Sequence, residues 1–222
     1  MNAFKTLVPA VALAAGLALS ASANAATTVT IGLSGDNGST IFVQGVPGVT
    51  SSNISNQAFG VWSATVDAHV GFFPDPLNTN TFDAASTGPG QLDIFVTVQG
   101  LTTFAPGFLS GFTENLLTNG WSVTESTYVD TNNGLFTTVT PLASHVFTTG
   151  ATGVNVVSGG TAGPSPYSVT ERFHIAANGQ GNAQSTIDIT AVPEPTTWAL
   201  MIFGFGGVGA VLRRRRTTAA FA

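Results

Sequence analysis

Apolar and polar residues alternate with a period of two through much of the chain between Thr27 and Ala191. The alternation is clearest in TTVTIGL (27–33), VWSATVDAHV (61–70) and LDIFVTVQG (92–100). Successive side chains of a strand point to opposite faces of a sheet, so this period predicts strands with one buried face. Gly, Pro and Asn lie between these segments and indicate turns. We therefore expect an all-β domain, a single β-sandwich or jelly-roll-like fold.

Four other segments give more specific expectations. WSVTESTYVD (121–130), followed by Asn133-Gly134 and LFTTVT, predicts a hairpin, because Asn-Gly is a strong turn signal. PYSVTERFHIAANGQGNAQSTIDIT (166–190) predicts a second hairpin that turns around residues 178–182. FPDPLNTNTF (73–82) predicts a loop fixed by its prolines, and FLSGFTENLLTNG (108–120) shows weak helical spacing.

Two glutamates fall on the apolar faces of predicted strands. The echo of WSVTE and YSVTE places Glu125 on the face of Trp121 and Val123, and Glu171 on the face of Tyr167. A functional interpretation makes them the acid and base of a glycosidase-like site. The structural interpretation places them at strand ends, or as inward charges that discourage edge pairing, and we favour it because no other catalytic group accompanies them.

Composition excludes several classes of function. The chain of 222 residues has no cysteine, so it has no disulfide, no thiolate metal site and no cysteine nucleophile. Only 8% of residues are charged, and ten of the eleven acidic residues lie between Asp36 and Asp188, where Arg172 is the only Lys or Arg. An acidic surface of this kind repels phosphates and disfavours nucleic-acid binding.

No motif indicates a metal or cofactor site. His69, His145 and His174 lack metal-ligand spacing, and the calcium-loop-like DTNNG at Asp130 is better explained as a turn. GFGGVG (204–209) matches a dinucleotide-binding pattern but is not followed by an acidic residue. We expect no catalytic residue, no cofactor and no enzymatic activity.

The N-terminus predicts a secretory signal peptide over residues 1–25, in a helical conformation. Lys5 precedes an apolar stretch, and Ala23 and Ala25 provide the small residues that signal peptidase requires. Cleavage would leave Ala26 as the first residue of a β-rich exported domain, 26–191.

The C-terminal segment, 192–222, combines an apolar stretch with a basic cluster. Residues 196–212 predict a transmembrane helix, although its fifteen strictly apolar residues span only about 22 Å. Trp198 lies at one border, where aromatic side chains prefer the membrane interface. By the positive-inside rule, a cluster of four arginines would stop the tail on the cytoplasmic side: Arg213, Arg214, Arg215 and Arg216.

This arrangement resembles the PEP-CTERM sorting signal in its PEPxxWA form. The tripeptide is Pro193, Glu194 and Pro195, and Trp198 and Ala199 follow at the matching positions. The resemblance implies that an exosortase-type membrane protease recognises the tripeptide and cuts near it. The two prolines keep the site extended and free of helix, which suits a protease. An uncut C-terminal membrane anchor remains the alternative.

We therefore expect an exported protein. Its precursor would be anchored transiently in the inner membrane, and its processed form would reach the cell surface or an extracellular matrix, where exopolysaccharide is a candidate partner. Within this scheme the activity of the β domain is open, and a carbohydrate-binding or carbohydrate-active β-sandwich is the alternative function.

Overall fold

A computed structural model describes residues 27–36, 40–45, 47–48, 51–71, 75–163, 166–192 and 202–205. It confirms the all-β prediction, with two six-stranded antiparallel sheets. The strands are β1 (Thr28–Gly35), β2 (Thr40–Gln44), β3 (Ser51–Phe59), β4 (Trp62–His69), β5 (Leu77–Ser86), β6 (Gly90–Leu101), β7 (Phe108–Leu117), β8 (Ser122–Asp130), β9 (Thr140–Phe147), β10 (Thr152–Ser158), β11 (Tyr167–Ala177) and β12 (Gly181–Ala191).

The two sheets pack face to face as a sandwich around one apolar core. Sheet A has the order β2-β1-β6-β11-β8-β9, and sheet B has the order β10-β7-β12-β5-β4-β3. Aromatic pairs join the sheets edge to face, Trp62 with Trp121 and Phe82 with Phe173, with ring centroids 5.5 and 4.9 Å apart. Such pairs add to the stabilisation that burial of the rings already gives.

The predicted second hairpin is wrong, because its two strands belong to different sheets. β11 pairs with β6 and β8, whereas β12 pairs with β5 and β7. Residues 178–180 connect the two strands across the end of the sandwich. Four Cα–Cα steps from Ala177 to Gly181 reach about 14 Å, enough to cross the roughly 10 Å between packed sheets.

The first predicted hairpin has the right partners but the wrong turn. β8 and β9 do pair, yet β9 begins only at Thr140, so residues 131–139 form a nine-residue loop. The Asp130 carboxylate accepts hydrogen bonds from the amides of Asn132 and Gly134, at 2.8 and 3.1 Å. These bonds fix the start of the loop, and they hold the pKa of Asp130 below its usual value.

This loop, 131–139, folds over the outer face of sheet A. Phe136 packs on Phe95 with ring centroids 5.6 Å apart, and Ser168 donates to the carbonyl of Gly134. A Cβ at Gly32 would lie 2.8 Å from the Phe136 ring, so the ring can approach only because residue 32 is glycine. Because the loop 131–139 covers this part of sheet A, Thr97 is fully buried although it faces outward.

Two further expectations are corrected. Residues 108–117 form β7 and not a helix, because Ser110, Phe112 and Glu114 alternate inward, and Thr113 and Asn115 beside them are exposed. The loop predicted at 73–82 is shorter than expected, because β5 begins at Leu77. Pro76, directly before it, lacks an amide hydrogen and cannot donate to a neighbouring strand.

The two predicted helices at the chain ends fall almost wholly outside the described residues. The signal peptide, 1–25, lies outside them entirely. Of the predicted transmembrane helix, only residues 202–205 are described, and they are helical. In the described parts of the chain, no helix is long and apolar enough to cross a membrane.

Candidate functional site

Glu125 and Glu171 lie on the inward faces of β8 and β11, as the alternation of apolar and polar residues predicted. Trp121 and Val123 share the face of Glu125, and all are at most 1% exposed. The two strands are neighbours, with Glu125 opposite Phe173 and Thr127 opposite Glu171, so the glutamates are diagonal neighbours. Their backbones are therefore about 7 to 8 Å apart.

Neither interpretation of these glutamates matches their surroundings. Both lie mid-strand in the interior of the sandwich, and neither β8 nor β11 is an edge strand. Both side chains are 0% exposed, so a polysaccharide cannot reach them in this structure. The pair is a feature of the core and does not form an open cleft.

The other sheet supplies the polar partners of these carboxyl groups. Asn80 on β5 donates from Nδ2 to Glu171 Oε2 at 2.6 Å, while its Oδ1 accepts from the amide of His69. Ser185 on β12 is hydrogen-bonded to Glu125 Oε1. A third cross-sheet bond, 2.8 Å long, joins the hydroxyls of Ser110 and Thr127. These three bonds form a polar seam through the apolar core.

A third glutamate belongs to the seam, and sequence analysis missed it. Glu114 on β7 lies opposite Ser185 and is 0% exposed. Neither of its carboxylate oxygens makes a hydrogen bond of normal geometry with the described residues, although the Ser185 hydroxyl and the amides of Leu116 and Gln184 lie near them. The signal that could have found it is the alternation of Ser110, Phe112 and Glu114, which the weak helical spacing of the same segment obscured.

No cation is present among the described residues to neutralise these groups. Arg172 is the only Lys or Arg among them, and it pairs with Asp93 on the outer face of sheet A at 2.8 Å. Burial therefore raises the pKa of Glu114 to about 7, against the lowering effect of the nearby Ser185 hydroxyl. Burial, and then repulsion from Glu114, raises the pKa of Glu125 to about 9.

The hydrogen bonds agree with a protonated Glu125. The Ser185 hydroxyl contacts both Glu125 Oε1 and the carbonyl of Thr113, but it has a single proton to donate. Ser185 can satisfy the Thr113 carbonyl if Glu125 donates its own proton to Ser185 Oγ. Burial also raises the pKa of Glu171 well above its ordinary value. The seam therefore favours the protonated, neutral form of each carboxyl group, least so for Glu114.

The three histidines lie on three different strands, and His145 is opposite Glu125 in the pairing of β8 with β9. His69 ends β4, His145 stacks edge-on against Phe147 on β9, and His174 contacts Asp93 at 3.0 Å. No group of three acidic, His or Cys side chains in the described parts of the chain is arranged to hold a metal ion.

A surface pocket of about 230 Å³ lies at the end of the sandwich that holds the β3–β4 turn. Phe59, Val61 and Trp62 form its apolar wall, and Pro89 completes it. Asp36 supplies a carboxylate, one oxygen of which accepts the amide of Gln91 at 2.5 Å. The pocket therefore combines an apolar wall with a polar acceptor, the general character of a small-ligand site.

The sorting tail leaves from the opposite end, directly from the sheet. β12 ends at Ala191, which is fully buried and paired with Phe108. The amide of Val192 still donates to the carbonyl of Gly107 at 2.9 Å. The predicted motif begins at the next residue, and Pro193, Glu194, Pro195, Trp198 and Ala199 all lie outside the described residues, as do Arg213 to Arg216 and Ala23 to Ala26.

Comparison with known families decides what this tail is. The family model for the PEP-CTERM protein-sorting motif matches residues 191–216. The tail is a PEP-CTERM sorting motif. The match starts at the last residue of β12, so the PEP-CTERM motif follows the sandwich without an intervening linker.

Comparisons of the whole chain do not assign the β-sandwich to a family. No curated protein matches it in sequence. Among solved structures, TmCBM61 in complex with β-1,4-galactotriose is 11% identical, with a TM-score of 0.33 over 61% of this chain and 90% of that one. A structure of infectious bursal disease virus, Gx strain, is 10% identical, with a TM-score of 0.23 over 83% of this chain and 52% of that one. Likenesses this distant support no argument about the sandwich.

Proposed function

We propose that this chain is an exported protein of the cell surface or extracellular matrix, without catalytic activity, whose β-sandwich is delivered through the PEP-CTERM motif. The observation that carries the proposal is the family match over 191–216, placed directly after the last strand. An exosortase-type membrane protease would cut the tail near the tripeptide, after signal peptidase has removed the leader. The processed sandwich would then associate with the surface or with exopolysaccharide.

The position of the motif supports this order of events. Residues up to Val192 are fixed by the sheet, whereas the two prolines that follow cannot continue the hydrogen-bonding pattern of a central strand. Proteases cut chain that is free of secondary structure. The first accessible bonds after the sandwich therefore lie within the tripeptide or beyond it, and a cut there leaves every described strand intact.

The test is a triple substitution to alanine at Pro193, Glu194 and Pro195 in the native host. We expect the variant to stay uncut in the membrane fraction, while the wild-type protein reaches the surface. The matched control substitutes Thr196 and Thr197, which occupy the two variable positions of the motif, and it should be processed normally. Normal surface delivery of the triple variant would contradict the proposal.

Carbohydrate binding is a second candidate function, and the pocket at the opposite end supports it. An apolar wall with aromatic residues and a carboxylate acceptor suits the apolar face and the hydroxyls of a sugar ring. Titration of the mature protein with oligosaccharides from the host's own matrix, followed by tryptophan fluorescence, tests it, since Trp62 borders the pocket. Asp36→Asn should weaken binding without lowering the melting temperature. Equal binding by both forms would exclude this site.

A further inference from the structure

The chain enters and leaves the sandwich at the same end. β1 starts at Thr28, opposite Gln99 near the end of β6, and β12 stops at Ala191, opposite the first residue of β7. The loop 102–107 joins the end of β6 to the start of β7. We call this end, with the first residue of β1, the last of β12 and the loop 102–107, the terminal end.

Little chain separates the terminal end from the predicted membrane helix. Val192 is the last residue held by the sheet, through its bond to Gly107. Only residues 193–197 precede Trp198, which is predicted to lie at the interface. Five extended residues span at most about 18 Å, which is less than the length of a ten-residue strand such as β7, about 33 Å. The sandwich therefore has no room to turn its terminal end away from the bilayer.

Exposed apolar side chains lie at this same end. Phe104 is 42% exposed and Val139 78%. Phe104 follows β6 and Val139 precedes β9, and the order β6-β11-β8-β9 puts these two strands three places apart. Three strand spacings amount to roughly 14 Å. The two side chains are thus close enough to meet one flat surface together.

Charge at the terminal end favours an apolar contact over an electrostatic one. No Lys or Arg stands there among the described residues, because Arg172 is the only one and lies within β11. Asp130 is 8% exposed, and its carboxylate already accepts two backbone amides. Asp75, just before β5, and Asp188, near the end of β12, are further acidic groups close to this end and to each other.

We propose that in the uncut precursor the terminal end lies against the outer surface of the membrane, with Phe104 and Val139 in contact with the lipid headgroups. The inference rests on the proposed function, because it requires the PEP-CTERM tail to hold the precursor in the bilayer. The partner is a lipid surface. Removal of the tail abolishes the contact, since two apolar side chains without a basic patch give weak attachment.

The absence of cysteine from the chain permits a direct test. Single cysteines at Phe104 and Val139 on the terminal end, and at Val61 and Leu116 toward the opposite end, carry a fluorophore. The full-length precursor is placed in phosphatidylcholine vesicles that contain a spin-labelled lipid as quencher. We expect quenching several-fold stronger at Phe104 and Val139 than at the control positions, which are 40% and 46% exposed.

A flexible insertion provides the matched control. About 20 Gly and Ser residues between Val192 and Pro193 give a coil with a root-mean-square span of roughly 25 Å, long enough to free the domain. We expect the difference between the two ends to disappear in this variant. If Phe104→Cys lowers the melting temperature, the quenching is measured at Val139→Cys alone, because Val139 is strongly exposed.

The outcomes separate the two proposals. Equal quenching at both ends, in a precursor that stays with the vesicles after an alkaline wash, overturns the inference and leaves the proposed function standing. A precursor that the wash releases shows that the tail does not anchor it, and this overturns both.

Discussion

Replacement of Glu125 by glutamine should stabilise the protein at neutral pH. The Glu125 side chain is fully buried, and burial raises its pKa from 4.5 to about 9. In the unfolded chain the same carboxyl group ionises near 4.5. Between these two values the folded protein holds a proton that the unfolded protein releases. Folding is therefore opposed increasingly as the pH rises.

The magnitude follows from this difference. The contribution of Glu125 to the free energy of unfolding is fully present below about pH 4.5 and falls by about 1.4 kcal/mol per pH unit above it. At pH 7 the loss is about 3 kcal/mol, and it stops growing near pH 9. Glutamine has a similar shape and no titrating proton, so Glu125→Gln should recover up to about 3 kcal/mol at pH 7 and little at pH 4.

The assay is urea unfolding of the mature protein and of Glu125→Gln at several pH values. The difference in the free energy of unfolding should be small near pH 4 and should grow toward pH 8. Asp83→Asn, which removes an exposed carboxyl group from β5, is the control for loss of an acidic group at the surface. A difference between Glu125→Gln and wild type that does not change with pH would refute the reasoning.

Three further predictions concern other parts of the molecule. Asn80→Leu removes the partner of Glu171 and should lower the free energy of unfolding by about 2 to 3 kcal/mol, whereas an unchanged urea midpoint would contradict this. Phe136→Ala should uncover sheet A beside Gly32, at a cost of about 1 to 3 kcal/mol, with faster hydrogen exchange in the loop 131–139. Serine at all four positions from Arg213 to Arg216 should release precursor from the membrane fraction, since each arginine opposes translocation by about 2.5 to 3.5 kcal/mol. Undiminished retention would show that the arginines are not the stop.

The inward faces of the strands were predictable because the period of two is a local property. Tyr167, Val169, Phe173 and Ile175 share the inward face of β11 with Glu171, as the sequence indicated. A strand pattern shows that a carboxyl group faces the core, but it does not show which groups of the other sheet meet it. The partners in the seam therefore appeared only in the structure.

The connections were harder to predict, for a physical reason. A short polar turn can close a hairpin within one sheet or carry the chain across to the other sheet, and the turn after Ala177 does the second. At Asn133-Gly134 the local turn signal was outweighed by tertiary packing, because Phe136 covers the outer face of sheet A. The few residues of each turn do not by themselves determine which strand the chain pairs with next.

The absence of cations could have been used more fully. With Arg172 as the only Lys or Arg between Ala26 and Ala191, an inward-facing glutamate has almost no possible ion-pair partner. Such a group must be protonated or hydrogen-bonded if it is buried. The composition of the chain therefore anticipates the raised pKa values in the seam.

The central claim is that the PEP-CTERM tail sorts the protein and is then removed. Its most direct test is mass spectrometry of the C-terminus of the mature protein, isolated from the surface of the native host. We expect a chain that ends near Pro195 and lacks residues 213–216. A mature surface form that retains Arg213 to Arg216 would contradict it and would leave the tail as a permanent anchor.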